Sequence, residues 1–351
     1  MARHAPETAQ RGRDIPLGRV GRPEDIARPP FVITKMKEEG KTPGFFVTDT
    51  RGMRYLFKLD PLESPELLSG AETVSSKLLY TLGYHVPSYE VVFVRPEALR
   101  IGEGLTSTDV RGKPYPVEQA DLDAMMEGRI RDGALRVVAS KFLEGDILGP
   151  AKFKRFRDCT EIRALQVAYA WLNNIDAKDH NSLLVWNGTE TTGYLIDFGT
   201  SLGADAGIGG PKDRCAGWKN IVDLRVASLR LLTLGLYQPS CDVPIQTVSP
   251  GVGFFSGKVD PDDWKPYAPN LAFEEINDDD ARWIAHRLAR ISTAQVEAAV
   301  AAGQYSDPAD ARYLVETLEQ RRQAIEGLRL PVDLTGLTEL AGRSGKRLVM
   351  A

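Results

Sequence analysis

The apolar pattern of the chain changes its period near residue 158, and that change limits what the chain can fold into. Ahead of it, "FVITKM" (31–36), "GFFVTD" (44–49) and "MRYLFKL" (53–59) are short, near-alternating runs joined by "KEEGKTPG" and by a tight turn at Arg51-Gly52. Such runs read as a three-stranded meander. "SGAETVSSKLLYTLG" (69–83) then places Ala71, Val74, Leu78, Leu79 and Leu82 on one helical face, with Ser69 as N-cap and Gly83 as stop. "SYEVVFV" supplies a fourth strand and "LRVVASKFL" a fifth, separated by a polar insertion with a short helix near Glu118 to Met126. From Asp158 the spacing is helical: Asp158 and Glu161 stand at capping-box separation, and Ile162, Leu165, Tyr169 and Leu172 continue one stripe as far as Asn173-Asn174. One hairpin interrupts it, "SLLVW" and "GYLID" joined through Asn187-Gly188. A glycine-rich loop over 199–217, read as mobile, precedes helices near 220–236, 279–291, 293–302 and 307–327, with a proline-rich stretch at 239–271.

Composition narrows the function classes. With 44 basic and 48 acidic residues among 351, the formal charge is only -4, which gives no global reason to expect nucleic acid or an anionic membrane as the partner. No apolar run approaches the roughly 20 residues of a membrane span, and the N-terminus lacks the apolar core of a signal peptide. A cytoplasmic location is the default expectation. Cys159, Cys215 and Cys241 are far apart and form no C-x-x-C pair, so neither a zinc site nor a disulfide framework is expected. Residues 1 to 29, rich in Arg, Pro and Gly, read as a disordered arm.

Phosphoryl transfer needs a cation on the nucleotide phosphates, acidic or amide oxygens to hold magnesium, and a carboxylate that orients the attacking hydroxyl. The chain carries such groups in order: Lys58 near the end of the third strand, Glu72 on the following helix, Asp176 and Asn181 in "NNIDAKDHNSLLVW" (173–186), and Asp197 opening "DFG". The hairpin brings Asn181, just before its first strand, beside Asp197, just after its second. Plainer readings compete. Lys58 could guard an edge strand; Asp176 and Asn181 could bond their own backbone; and Glu72, three residues after Ser69, could close a capping box, leaving Glu66 as the lysine partner. His180 reads as a local hydrogen-bonding residue. In "KFKRFRD" (152–158), four cations interleave with Phe153 and Phe156, and the phenylalanines read as anchors beneath a solvated basic face.

The order Lys, Glu, D-x-K-x-x-N, D-F-G, carried by "YLFKLDP", "GAETVSSKLLY", "DAKDHN" and "YLIDFG", resembles the protein-kinase-like superfamily over residues 31 to 200. The pattern resembles atypical bacterial kinases, of the persistence-toxin and spore-coat kinds, more than the eukaryotic type. "NID" stands where that superfamily usually has "HRD", no A-P-E follows the DFG, and "EEGKTPGF" replaces G-x-G-x-x-G. The resemblance implies an α+β, two-lobed protein-kinase-like fold: an antiparallel-sheet N-lobe with one helix over 30–143, a mainly helical C-lobe over 144–330, and a tail over 331–351. It implies ATP and Mg²⁺ as ligands and a Ser/Thr protein kinase as the activity. Asp176 would be the catalytic aspartate and Lys178 would neutralise the γ-phosphate. Lys58 would bind the α- and β-phosphates, braced by Glu72, while Asn181 and Asp197 would hold the metal. Gly40, Lys41, Thr42 and Gly44 would cover the phosphates, and the backbone of Phe142 and Leu143, in the segment Lys141 to Gly145, would receive the adenine. Lys178 stands where small-molecule kinases more often carry histidine, which favours a protein acceptor. A small-molecule kinase, a nucleotidyl transferase and a nucleotide-binding pseudokinase are the alternatives on the same fold.

Overall fold

The computed structural model describes residues 27–109, 111–222, 224–237, 241 and 249–330. The tail, and all but the last three residues of the expected N-terminal arm, lie outside them. Strands β1 (Phe31–Met36), β2 (Gly44–Thr48), β3 (Arg54–Leu59), β4 (Tyr89–Val94) and β5 (Leu99–Ile101) form one sheet with β8 (Ile130–Arg131) and β9 (Ala134–Lys141), a short hairpin of β6 (Thr106–Thr108) and β7 (Pro114–Pro116) standing apart. The sheet order is β4-β9-β3-β2-β1-β5, antiparallel throughout except for β1 beside β5. One face buries Phe31, Phe45, Tyr55 and Phe57 against Leu122 and Met126 of α2 (Gln119–Met126). Each such side chain contributes about 1.5–3 kcal/mol by leaving water.

The opposite face, through Tyr89 and Val138, packs on α1 (Leu67–Thr81). This helix begins two residues earlier than Ser69. Its first amides are satisfied by Asp60 at the end of β3, whose Oδ1 accepts from Leu68 N at 2.9 Å and Ser69 N at 2.8 Å, with Ser69 Oγ on Oδ2 at 2.6 Å. Ser69 is therefore not the N-cap, and Glu72 closes no capping box. A carboxylate supplied by the preceding strand fixes that strand end directly to the helix start.

The second lobe is built on α3 (Thr160–Leu172), with α5 (Asp278–Leu288), α6 (Thr293–Ala302) and α7 (Pro308–Arg329) around it. From Ala164 onward nearly every side chain of α3 is buried, Trp171 and Tyr169 included, so the stripe read from the sequence is only part of an almost wholly enclosed helix. Asp158 does not cap it; Cys159 occupies the N-cap position and makes no side-chain cap bond. Asn173, with φ of 50°, ends the helix in the left-handed region that asparagine tolerates. The buried Arg321 of α7 donates to the last carbonyls, Ala170 O and Trp171 O.

The hairpin forms as expected, β11 (Ser182–Trp186) on β12 (Thr191–Leu195), and gains a third strand in β10 (Asp146–Gly149). The glycine-rich segment is not the loose loop its composition suggests. Ser201, Leu202, Ala204 and Asp205 are buried, and the buried Lys212 donates to the carbonyls of Asn173 at 2.6 Å, Thr200 at 2.9 Å and Leu202 at 2.9 Å. Cys215 and Cys241 form a disulfide with Cα atoms 5.5 Å apart, against the expectation of none. Spacing along the chain could not reveal it, since the fold alone brings the two together. Helix α4 (Leu224–Leu232) lies between them and leaves Leu224, Leu231 and Leu232 largely exposed. Among the described residues no helix is long and apolar enough to cross a membrane. The architecture is that of an atypical two-lobed protein-kinase-like fold: an antiparallel-rich sheet with its helix, then a mainly helical lobe.

Candidate active site

Lys58 sits on β3, an interior strand between β2 and β9, so it guards no edge. Its side chain is buried and aimed across α1 at the DFG segment: Nζ lies 2.7 Å from Glu72 Oε1 and 2.8 Å from Asp197 Oδ1, the latter 139 residues away in sequence. A buried ammonium is costly unless charges or hydrogen-bond acceptors compensate it. Burial works against its charged form, but the charges of Asp197 and Glu72 outweigh that and raise its pKa. The two carboxylates sharing it diverge. Lys58 holds Asp197 below the usual carboxylate range, whereas burial pushes Glu72 up to about 7 against the pull of the same ammonium. Glu72 Oε2 is buried with no hydrogen-bond partner. Glu66, the alternative partner, instead accepts from Ser306 N at 3.0 Å.

Asp197 takes a left-handed conformation, φ 61°, and its amide donates to Tyr89 Oη at 3.1 Å. A non-glycine residue held there costs of order 1 kcal/mol and persists only where its surroundings impose it. Here Phe198 is fully buried, edge-on to Tyr89 at 5.5 Å. The next position is crowded: a Cβ on Gly199 would stand 3.1 Å from Glu72 Oε1 and 3.0 Å from Ala206 Cβ, so any side chain there requires those neighbours to shift by a few tenths of an ångström.

Hairpin pairing brings the loop 173–181 to the same place. Ser182 pairs with Leu195, and Ile196 N donates to Asn181 O at 3.0 Å, which sets Asn181 beside Asp197. Asn181 Nδ2 donates to Asp176 O at 2.8 Å, which engages its amide nitrogen and leaves the amide oxygen as its side-chain acceptor. Asp176 Oδ2 accepts from Lys178 Nζ at 2.6 Å. Lys58 and Glu72 lie at the back of the crevice, while Asp197 is 43% and Lys178 53% exposed at its mouth.

Lys37, not singled out from the sequence, belongs to this cluster. A bulge in β1 between Ile33 and Lys35 shifts the alternation, and Lys37 N bonds Gly44 O at 3.0 Å while Gly44 pairs with Lys58. Lys37, Gly44 and Lys58 therefore stand abreast across three strands. The Lys37 ammonium donates to Thr42 O at 2.7 Å and to Glu39 O, and its pKa is lowered by partial burial and then by the charge of Lys58, with Asp197 and Glu72 opposing. Only knowledge of the bulge would have revealed it. Lys41 is exposed, Thr42 is buried, and Gly40 makes the turn at φ 74°. Gly44 is glycine because a Cβ would fall 2.3 Å from Phe57 O. Phe142 packs on Phe46 and under Arg54, and its amide donates to Arg54 O at 2.9 Å, so among the two residues expected to meet adenine only Leu143 retains a backbone amide not committed to the sheet. His180 is exposed, and no group of three or more His, Cys, Asp or Glu able to hold a metal occurs among the described residues.

No protein-family model matches the chain, and no curated protein does. Among solved structures, a Helicobacter pylori proinflammatory kinase, CtkA, is similar at 12% identity over 88% of this chain and 99% of its own, with a TM-score of 0.44. The Golgi casein kinase with Mn/ADP bound is similar at 10% identity, over 88% of this chain and 76% of its own, at 0.32. Hydra Fam20 with sugar is similar at 12% identity over 52% and 65%, at 0.34. At such low identity and TM-score, what the crevice can do must follow from its own side chains.

Proposed function

We propose that the protein is an ATP- and Mg²⁺-dependent phosphotransferase acting on a serine or threonine hydroxyl of a protein. The observation that carries this reading is Lys58 Nζ bridging Glu72 and Asp197 at 2.7 and 2.8 Å, with Asn181 and Asp176 gathered at the same crevice. Lys58 binds the α- and β-phosphates and Glu72 keeps it aimed. Lys37 adds a second cation from the β1–β2 loop, exchanging the carbonyls of Glu39 and Thr42 for phosphate oxygens. The Asn181 amide oxygen and the Asp197 carboxylate form a hard-oxygen pair suited to Mg²⁺, which uses one or two protein ligands and completes its shell with phosphates and water. Once bound, that ion would neutralise phosphate charge. Asp176 orients the acceptor hydroxyl and takes its proton, and Lys178, already on Asp176, faces the transferred group. Leu143 offers its amide to the base. The division at 143/144 puts Lys58 and Glu72 on one side of the crevice and Asp176, Asn181 and Asp197 on the other. A cytoplasmic location would require Cys215 and Cys241 to be reduced there, since disulfides are rare in that compartment.

The test is incubation with γ-labelled ATP and Mg²⁺, alone and with cell lysate. Label on a protein supports the proposal, label on a small product moves the acceptor to that class, and no label with intact ATP binding leaves a pseudokinase. Asp176→Asn is expected to lower transfer at least ~100-fold, the scale of losing a positioned proton acceptor, with ATP affinity retained. Undiminished labelling by that variant would remove Asp176 from its role.

A further inference from the structure

The basic run 152–157 is more than a solvated face. Phe153 is fully buried and stacked on Phe273, so its ring is spent on the core, while Lys152, Lys154 and Arg155 on either side are exposed. Arg157 is paired with Glu275 at 3.3 Å, whereas the other three meet no carboxylate at ion-pair distance among the described residues. This turn is bolted to the catalytic loop. Phe153 N donates to Asp179 Oδ1 at 2.9 Å, and Ser182 Oγ donates to Ala151 O at 3.0 Å. Asp179 is three residues from Asp176, a distance of at most about 10 Å along the chain. A group of exposed cations without carboxylate partners, carried on a backbone anchored to that loop, therefore flanks the acceptor position, in a molecule whose formal charge is -4.

We propose that Lys152, Lys154 and Arg155 form a substrate subsite for acidic polypeptide segments, which seat their Asp, Glu or phosphorylated side chains here while presenting a hydroxyl to Asp176. The proposal rests on the phosphotransferase reading and names its substrate class. An extended peptide advances about 3.3 Å per residue, so the acidic positions fall roughly two to four residues from the acceptor. Nucleic acid would offer phosphates too, but its recognition as a single strand draws on exposed aromatic faces for stacking. Phe153 is unavailable for that and Phe156 is half-buried.

The test measures binding directly and so does not depend on turnover. Fluorescein-labelled twelve-residue peptides with a central serine, flanked by Glu or by Gln, are titrated at low salt with the full chain and with Lys152→Ser/Lys154→Ser/Arg155→Ser. A single-stranded oligonucleotide of equal charge serves as comparison. The acidic peptide is expected to bind about tenfold tighter than the neutral one, as a few exposed charge pairs allow. That preference should vanish in the triple variant and in 0.5 M NaCl, as screening requires. Equal affinity for the two peptides, a preference that survives in the triple variant, or tighter binding of the oligonucleotide would overturn the proposal. Preferential binding without any transfer of label would preserve the subsite and sink the catalytic reading instead.

Discussion

Glu72 and Asp197 share one ammonium but do not share its charge equally, and this asymmetry makes the pair testable at single residues. Burial raises the Glu72 pKa in the folded state to about 7, from an ordinary 4.5. Between those values the native state holds more protons than the unfolded chain, so this group's stabilisation is complete below pH 4.5 and is lost as pH rises through 7. Replacing Lys58 by methionine removes the opposing charge and moves the loss to higher pH. Thermal midpoints of Lys58→Met should therefore fall between pH 6 and 9, and the added Glu72→Gln change should flatten that slope. An equal slope with and without Glu72 would show that the carboxyl is ionised throughout. Lys37 makes a separate prediction. If its ammonium meets phosphate, Lys37→Ala should weaken ATP binding about tenfold, the worth of one charge-assisted hydrogen bond, and leave adenosine binding unchanged. Equal weakening of both would reduce Lys37 to a brace for the loop.

Among the secondary-structure elements, β1 to β4, β9 and the β11–β12 hairpin were legible in the sequence because near-alternating runs and an Asn-Gly turn are local signals, whereas the very short strands β5 to β8 and β10 carry no such pattern. The starts of α1 and α3 were not, because no side chain at their own boundaries caps them, whereas α5, α6 and α7, capped locally by Asn277, Ser292 and Asp307, begin within a residue of the expected positions. Asp60, at the end of β3, satisfies the first amides of α1, so a scan for Ser or Thr at the boundary picks Ser69 and reads Glu72 as its capping partner. The same distance from local information hid the β1 bulge, hence Lys37, and the disulfide. It also hid what holds α3 to α5. Arg163 donates two bonds to Asp280, 2.6 and 2.8 Å, and Asp280 Oδ2 also accepts from the amide of the N-cap Asn277 at 3.1 Å. Burial would raise the Asp280 pKa, but Arg163 and the Asn277 amide outweigh it and hold it low. Such a group stabilises the fold above its unfolded pKa near 3.8 and loses that contribution as pH falls through the lower folded value. Asp280→Asn leaves the guanidinium without its charged partner, and about 3 kcal/mol of stability should go with it at pH 7. Urea unfolding at pH 7 and pH 3 checks this: the gap between wild type and variant should narrow in acid, and a gap independent of pH would assign the loss to packing.

For the molecule as a whole, the sheet and the helical lobe have separate hydrophobic cores, yet α1 belongs to the helical one although it follows the strands in sequence. The crevice therefore lies between a strand-borne lysine and loops rooted in the helical core, with Glu72 on the helix that touches both. A ligand gripping Lys37 and Lys58 from one side and Asn181 and Asp197 from the other must couple the two cores. Binding then stabilises the whole fold by mass action: at a concentration 100-fold above Kd the gain is about 2.7 kcal/mol, which for a chain of this size raises the thermal midpoint by roughly 5 °C. The metal dependence separates the two sides. ATP with Mg²⁺ should raise the midpoint more than ATP with a chelator, and Asn181→Ala and Asp197→Asn should abolish that difference while keeping the chelator-resistant part. Lys58→Met should lose both, because it removes the cation that meets the phosphates whether or not an ion accompanies them. A shift that Mg²⁺ leaves untouched in wild type would mean that Asn181 and Asp197, although adjacent, do not hold a metal with the nucleotide, and the crevice would then be a binding site without the means of transfer.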